Sequence, residues 1–485
     1  MKAVSDNAKL PLDISARRGV LAYLVATVAI FVLMMIFGLL MRASQAQAFG
    51  LDTSLFYQIM TVHGIGTVGA AGLGGAMICW YFLRHYVELS TTVLVLNLVM
   101  FVTGVVLILG GAFLGDFAGG WNFLYPLPAM SQGAWSNAAA ASFLLGLLLI
   151  GSGFLVFYLD MARAILGKYG NLGRALGWPQ LFGTSDAPPP PAAVVAATVI
   201  FLMNIPGILV GATILVLNLV SLYAPEYRID ALMAKNMTYF FGHVFMNGTI
   251  YQCLIAVFEI MPRHTGRPWK INKWFLGGWT ASGLMVILVY PQHLLMDFVM
   301  PEWMLIIGQV VSWIHGLPVL LISVFGTLAN VHRSGIRWNM TSGLLFFAML
   351  GWAAGVFPGV ADATIIVNQV MHNTQWVPGH FHTYFLLSLV SMLFGFGYHL
   401  MMDMHGDKAA LIDRVGFWLF TVGGFGFIMA FLAGGAAGIP RRYAVHLTEW
   451  LAYDRAGAIF AAMSVTAALV FMVRFLRNLN KGVST

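Results

Sequence analysis

His380 and His382 stand two residues apart in the run Trp376-Val-Pro-Gly-His-Phe-His-Thr-Tyr-Phe385. Each step along an α-helix turns roughly 100°, so these two imidazoles point about 200° away from each other. Side chains so placed cannot share one small metal ion. Each can hold a separate cofactor, one on either side of the helix. The residues that follow are apolar enough to continue as a membrane span, and two haem irons flanking a single transmembrane helix need that arrangement.

Three more histidines lie inside apolar runs: His63 in Met60-Thr-Val-His-Gly-Ile-Gly-Thr67, His243 in Phe241-Gly-His-Val-Phe-Met-Asn247, and His293 in Tyr290-Pro-Gln-His. Ionisable residues inside the bilayer are costly and mark functional sites by default. A lone membrane histidine is as readily a satisfied hydrogen-bonding residue as a ligand. Five that converge on one layer fit ligands better, and neutral imidazole suits haem iron, copper and non-haem iron. Gly64, Gly66, Gly69, Gly72, Gly74 and Gly75 follow His63 and would admit a cofactor plane or a neighbouring helix at close range.

The elements that carry these residues are membrane helices. The chain has 485 residues, of which 60% are hydrophobic and 9% charged, with mean hydropathy +0.83; soluble domains carry about 25% charged residues. Cys79 and Cys253, both in apolar runs, are the only cysteines, which excludes a disulfide framework, a Cys-x-x-Cys pair or a Cys-x-x-Cys-His haem attachment. Apolar segments long enough to cross about 30 Å of hydrocarbon fall near residues 20–41, 54–83, 91–114, 137–161, 194–222, 237–261, 274–298, 303–329, 338–360, 377–401, 413–437 and 452–477. The expectation is therefore an all-α polytopic protein of twelve transmembrane helices. Residues 1–485 form one catalytic domain, and the one long linker, about 163–193, contains Pro188–Pro191. With the N-terminus inside, 19 of the 25 Lys/Arg residues fall in cytoplasmic segments and six outside, so both termini are expected in the cytoplasm. Spans 2, 6 and 10 then enter from the outer face, and span 7 ends there, so all five histidines share the outer half of the membrane.

In the order His63, Gly120-Trp-Asn-Phe-Leu-Tyr-Pro126, Gly242-His243, His372-Asn-Thr-Gln-Trp-Val-Pro-Gly-His-Phe-His382 and Gly438-Ile-Pro-Arg-Arg-Tyr443, the chain resembles the catalytic subunit I of the haem-copper oxidoreductase superfamily. The likeness is greatest to the divergent prokaryotic oxygen reductases and the nitric oxide reductases related to them. It implies two haems, of type a or b, and one non-haem metal, copper or iron. His63 and His382 would be the axial ligands of a low-spin haem, and His380 the proximal ligand of a high-spin haem. Arg441 and Arg442 would hold haem propionates, with His372 beside them. His243 and His293 would bind the non-haem metal.

Two positions depart from the oxygen-reductase pattern. The helix-7 histidine pair reads Gln292-His293, leaving Gln292 or Asp297 as the third ligand. An amide or carboxylate oxygen in place of an imidazole makes the site harder and favours iron over copper. Where oxygen reductases often carry a tyrosine cross-linked to the helix-6 histidine, this chain has Asn247. Cleaving dioxygen in one step takes four electrons, and that tyrosine supplies one; Tyr251 and Tyr290 are the candidate substitutes, though they lie at the wrong positions for that cross-link. Coupling two nitric oxide molecules needs two electrons, two protons and no tyrosyl radical. The expected activity is therefore nitric oxide reduction, with oxygen reduction as the alternative. A twelve-span secondary transporter is the remaining class, disfavoured because no two similar halves are visible.

Glu259 lies on the stripe His243, Asn247, Tyr251 at spacings of four and eight, which suits either a proton route or a carboxylate snorkelling at the interface. Span 8 carries Ser312, His315, Ser323 and Thr327 but no lysine. Electrons would come from a soluble cytochrome or cupredoxin through an accessory subunit with a copper or haem c centre, or from quinol. The expected setting is the lipid of a bacterial inner (cytoplasmic) membrane, with no nucleic-acid partner.

Overall fold

A computed structural model describes residues 14–290, 300–406 and 409–482. The chain is all-helical. Its principal helices are α1 (Ile14–Gln45), α2 (Thr53–Leu83), α3 (Thr91–Phe113), α4 (Asn137–Tyr169), then two single turns, α5 (Leu172–Ala175) and α6 (Trp178–Leu181). There follow α7 (Ala192–Tyr223), α8 (Ala231–Thr265), α9 (Lys273–Leu288), α10 (Glu302–Ile314), α11 (Leu317–Val331), α12 (Met340–Ala363) and the short α13 (Ile365–Met371). The last span group is α14 (Trp376–His382), a π-helical stretch Thr383–Val390, α15 (Ser391–His405), α16 (Leu411–Ala436) and α17 (Leu451–Gly482). Among the described residues, eleven helical segments are long and apolar enough to cross a membrane, so the protein is a multi-pass membrane protein.

The starts of these helices are written locally. Asp52 accepts from the backbone N–H groups of Ser54 and Leu55, Ser90 caps α3, Ser136 caps α4, Asp230 caps α8, and Asn339 with Ser342 forms a capping box on α12. Each cap satisfies donors that a helix end would otherwise leave orphaned.

Three sequence-based spans take a different form. The span expected at 274–298 is helical over Lys273–Leu288, 16 residues, and residues 291–299 lie outside the described residues. The span expected at 303–329 is two helices, interrupted at His315–Gly316, because Pro318 has no N–H to continue the ladder. The span expected at 377–401 changes from α to π immediately after His382; such wide turns gather at functional sites. The expected linker also begins late, since α4 continues to Tyr169.

Burial separates the helices into a centre and a rim. Of the apolar core of each span, 94% is buried for Trp376–Met404, 78% for α8 and 67% for α2, against 28% for α3. The three most enclosed spans are those that carry His380 and His382, His243, and His63. Neighbours in sequence pack as antiparallel pairs (α1 with α2, α3 with α4, α7 with α8, α16 with α17), and α17 returns against α1 to close the bundle.

Close helix approaches occur at glycine. A Cβ on Gly75 would sit 2.7 Å from Gln252 Oε1 and 3.2 Å from the Thr249 carbonyl, which brings α2 against α8. Gly64, Gly66, Gly69, Gly72 and Gly74 admit Trp121, Met34, Phe101, Phe154 with Phe245, and Leu393, so this stripe serves helix packing. On α16, a Cβ at Gly435 would overlap the backbone of Trp376 at the start of α14. Backbone cannot rotate away as a side-chain tip can. Gly435→Ala should therefore displace α14 and destabilise the protein by about 1–3 kcal/mol, seen as a lower thermal midpoint in detergent, whereas Gly110→Ala, where a Cβ meets nothing within 4 Å, should leave it unchanged.

Candidate functional site

His380 and His382 both belong to the α-helical turn α14, and they face different neighbours. His382 turns toward α1, α2 and α16. Its ring stacks on Phe431 at 5.5 Å and meets Phe427 edge-on at 5.3 Å. Across a gap stands His63, ring centres 6.3 Å apart and planes inclined by 18°. His63 Nδ1 donates to the Met34 carbonyl and His382 Nδ1 to the Pro378 carbonyl, each at 2.7 Å. A carbonyl only accepts, so in the neutral rings both Nδ1 atoms carry the hydrogen and both Nε2 atoms keep a lone pair.

The spacing can be tested against a metal. An imidazole nitrogen binds a first-row metal at about 2.0 Å, and its ring centre lies about 1.15 Å further back, so two trans ligands hold their ring centres about 6.3 Å apart. The observed 6.3 Å suits two axial ligands on one ion, and the parallel planes are compatible with it. The pair fits a haem iron.

His380 faces the other way, toward α12. Its ring packs edge-on against Tyr384 at 5.2 Å, and a Cβ on Gly359 would lie 2.9 Å from its Cε1. Tyr384 in turn fills the space left by Gly355. On this side His243 of α8 meets His315, the residue at the α10–α11 interruption, with ring centres 5.4 Å apart. His315 also lies within electrostatic reach of His380. Sequence reasoning counts His315 as a span residue and does not place it in the site. Its only signal is the adjacent Gly316 and Pro318, which interrupt the helix.

Asn247 donates its amide to the His243 carbonyl at 2.9 Å, within its own helix. Tyr251 is buried one turn further on, against Trp279 at 5.1 Å. Tyr290 packs on Phe240, one turn before His243. Glu259 accepts from the Tyr86 hydroxyl at 3.0 and 3.1 Å, at the far end of α8. Gln292, His293 and Asp297 lie outside the described residues. Among the described residues, no three or more His, Cys, Asp or Glu side chains gather where they could hold a metal ion.

At the opposite end of the bundle from Glu259, the segment before α14 and the turn after α16 meet in a short antiparallel bridge. Gln375 N–H donates to the Ile439 carbonyl at 2.8 Å, and Arg441 N–H to the Asn373 carbonyl at 2.9 Å. The bridge brings Arg441, Arg442 and His372 together. Burial, with Arg441, Lys235 and Arg442 adding to it, pushes the His372 imidazole down to about 4. Burial and Arg442 likewise lower Arg441 to about 10. So many cations in one half-buried place suit a bound dianion, and haem propionates fit. Arg442 reaches Asn122 at 3.3 Å, and Gly120 N–H bonds to Thr61 at 3.0 Å, which folds the 120–126 loop onto α2 beside His63.

Beneath this lies a network that the sequence did not reveal. Arg42, 2% exposed, pairs with Asp454 at 3.0 Å and donates to Gln45 at 2.8 Å and Gln375 at 3.0 Å. His446 Nδ1 meets the other Asp454 oxygen at 2.7 Å. The Arg42 guanidinium lies 4.5 Å over the Phe431 ring, which backs His382. In sequence, Arg42 and Asp454 look like ordinary charges at span ends.

A polytopic helical bundle whose most enclosed helices bring imidazoles together at two separate places is a membrane protein with side chains that fit metal cofactors between its spans. Comparison with known proteins agrees. The family model for cytochrome c and quinol oxidase polypeptide I matches residues 18–474, and the chain belongs to that family, the subunit I of the haem-copper superfamily. Cytochrome c oxidase polypeptide 1 of Halobacterium salinarum is 22% identical over 376 residues, covering 75% of this chain and 62% of that protein. Cytochrome c oxidase subunit 1 of Thermostichus vulcanus is 22% identical over 390 residues, covering 78% and 66%. The matches thus span less than two thirds of either relative. A solved structure of a heme-copper terminal oxidase dimer superposes with TM-score 0.81 at 18% identity, over 96% of this chain and 84% of the other.

The buried Arg42–Asp454 pair yields a direct test. Asp454→Ala leaves a guanidinium uncompensated in the interior and should cost about 3–5 kcal/mol, measured as a loss of thermal stability in detergent. Arg455→Ala next to it should cost far less, since Arg455 is exposed.

Proposed function

We propose that this chain is the catalytic subunit of a respiratory terminal reductase that couples two molecules of nitric oxide to nitrous oxide and water. The observation that carries the reading is Asn247. The position one turn after His243 offers an amide closed onto its own helix backbone, with no phenol to donate an electron. A reaction that needs two electrons and two protons can proceed without one.

In this reading His63 and His382 hold a low-spin haem, His380 a high-spin haem, and Arg441, Arg442 and His372 the propionate ends. His243 and His293, with Gln292 or Asp297, hold a non-haem iron or copper ion. When bound, these groups supply the electrons and the open coordination positions at which the diatomic reacts. The chain's own residues would position them: the Met34 and Pro378 carbonyls orient the His63 and His382 imidazoles, and Gly359 makes room for the His380 ring. An apolar cavity lined by Met34, Val62, Gly66, Phe154, Gly242 and Phe245 lies between α1, α2, α4 and α8 and suits an uncharged gas. Glu259, held by Tyr86, stands at the cytoplasmic mouth of a proton route along α8 through Tyr251 and Asn247.

The proposal extends to twelve spans with both termini in the cytoplasm of a bacterium, one catalytic unit over residues 1–485. An accessory copper or haem c subunit would relay electrons from a soluble cytochrome or cupredoxin, or quinol would deliver them. Oxygen reduction is the second reading, favoured by the relatives named as cytochrome c oxidase subunits.

The purified complex, supplied anaerobically with reductant and nitric oxide, should release one nitrous oxide per two nitric oxide consumed. Oxygen uptake without nitric oxide turnover would replace this reading with the second. Glu259→Gln should slow steady-state turnover at least ten-fold with unchanged haem content, and unaltered turnover would remove the α8 route.

A further inference from the structure

The pattern that places an imidazole pair on the seventh span has Gln292 at one of its two positions, so the chain is one imidazole short. We propose that His315, from the interruption between α10 and α11, is the replacement: it joins His243 as a ligand of the non-haem transition metal. This rests on the haem and metal reading above and puts His315 in the place that the reading gives to Gln292 or Asp297.

The local structure turns His315 inward. α10 ends at Ile314 and α11 begins at Leu317, with Pro318 in its first turn. A break inside an apolar span would leave backbone groups unsatisfied, and Ser282 of α9 resolves it. Its hydroxyl donates to the His315 carbonyl at 3.2 Å and accepts from Val319 N–H at 3.2 Å. Non-helical backbone at membrane depth persists only where the protein satisfies it, and here it is satisfied by a residue next to the site. His315 Nδ1 meets the Ser312 carbonyl at 2.9 Å, so in the neutral ring Nδ1 carries the hydrogen and Nε2 keeps its lone pair. That is the same arrangement seen at His63 and His382.

The metal ruler applied to the axial pair applies here too. With about 3.15 Å from ion to ring centre, two imidazoles subtending a tetrahedral angle place their ring centres about 5.1 Å apart, and at 120° about 5.5 Å. The His243–His315 separation is 5.4 Å. Trans ligation would need the 6.3 Å found at the other site. The two histidine pairs therefore differ in the sense expected for an axial pair on one ion and a bent pair on another. Two imidazoles at such an angle suit copper or iron.

The test counts metals in the detergent-purified full chain with its subunits. Haem is measured as the pyridine haemochromogen, and total copper and iron by elemental analysis. The wild type should hold one non-haem ion per two haems. His315→Ala and the near-isosteric His315→Gln should keep both haems and retain less than a tenth of the ion, while His332→Ala, at a loop histidine outside the site, should retain all of it. Full retention in both position-315 variants would overturn the proposal, as would a wild type with two haems and no third ion. Parallel loss of haem and ion in both variants would assign His315 a purely structural role and also overturn it. A wild type without haem would overturn the underlying reading and this one with it, and the haem count tells the two failures apart.

Discussion

Two imidazoles two residues apart on the most enclosed helix constrain everything around them. Inside a bilayer the backbone must satisfy its own hydrogen bonds, so α14 has little freedom to be anything but helical. A helix in turn forces His380 and His382 to opposite sides. The bundle is consequently divided into two compartments that share one wall. One is closed by α1, α2 and α16 around His63 and His382. The other is closed by α8, α12 and the α10–α11 break around His380, His243 and His315. The rim helices around it are less buried.

Each compartment is organised by how its buried polar atoms are satisfied. Backbone carbonyls fix the tautomers of His63, His382 and His315, so the lone pair of each is presented without an ionised partner. On the His382 side, a strong charge is neutralised in place, with Arg42 held by Asp454 and steadied by Gln45 and Gln375. Through Phe431 this charge lies close behind the His382 imidazole. On the His380 side, the broken helix is mended by Ser282.

The end of the bundle that carries Arg441 and Arg442 has the opposite character. Several cations converge, with Asp362 offsetting Arg441, and a neutral His372 stands among them. An anionic partner would resolve this excess. The far end couples Glu259 to Tyr86 and closes the bundle with Arg263 near Asp403. Among the described residues, charge thus gathers at the two ends and in the neutralised Arg42–Asp454 pair, and the interior between them is largely apolar.

Much of this was legible in the amino-acid order because it depends on local periodicity. Apolar run length marks the spans, and the spacing of His380 and His382 dictates two faces. His63 and His243 stand out because a polar ring in lipid is costly unless it binds something. Tertiary structure decided what depends on meetings between distant segments. Arg42 and Asp454 look like interface charges until α1 and α17 bring them together, and the glycines after His63 could have served a cofactor or a neighbour until the packing chose the neighbours. His315 is the plainest case: its helix break is local and readable, but its direction is set by Ser282 on another helix. Periodicity is a property of one segment, whereas a ligand sphere is a property of several, and no single segment encodes which side chains the others will bring.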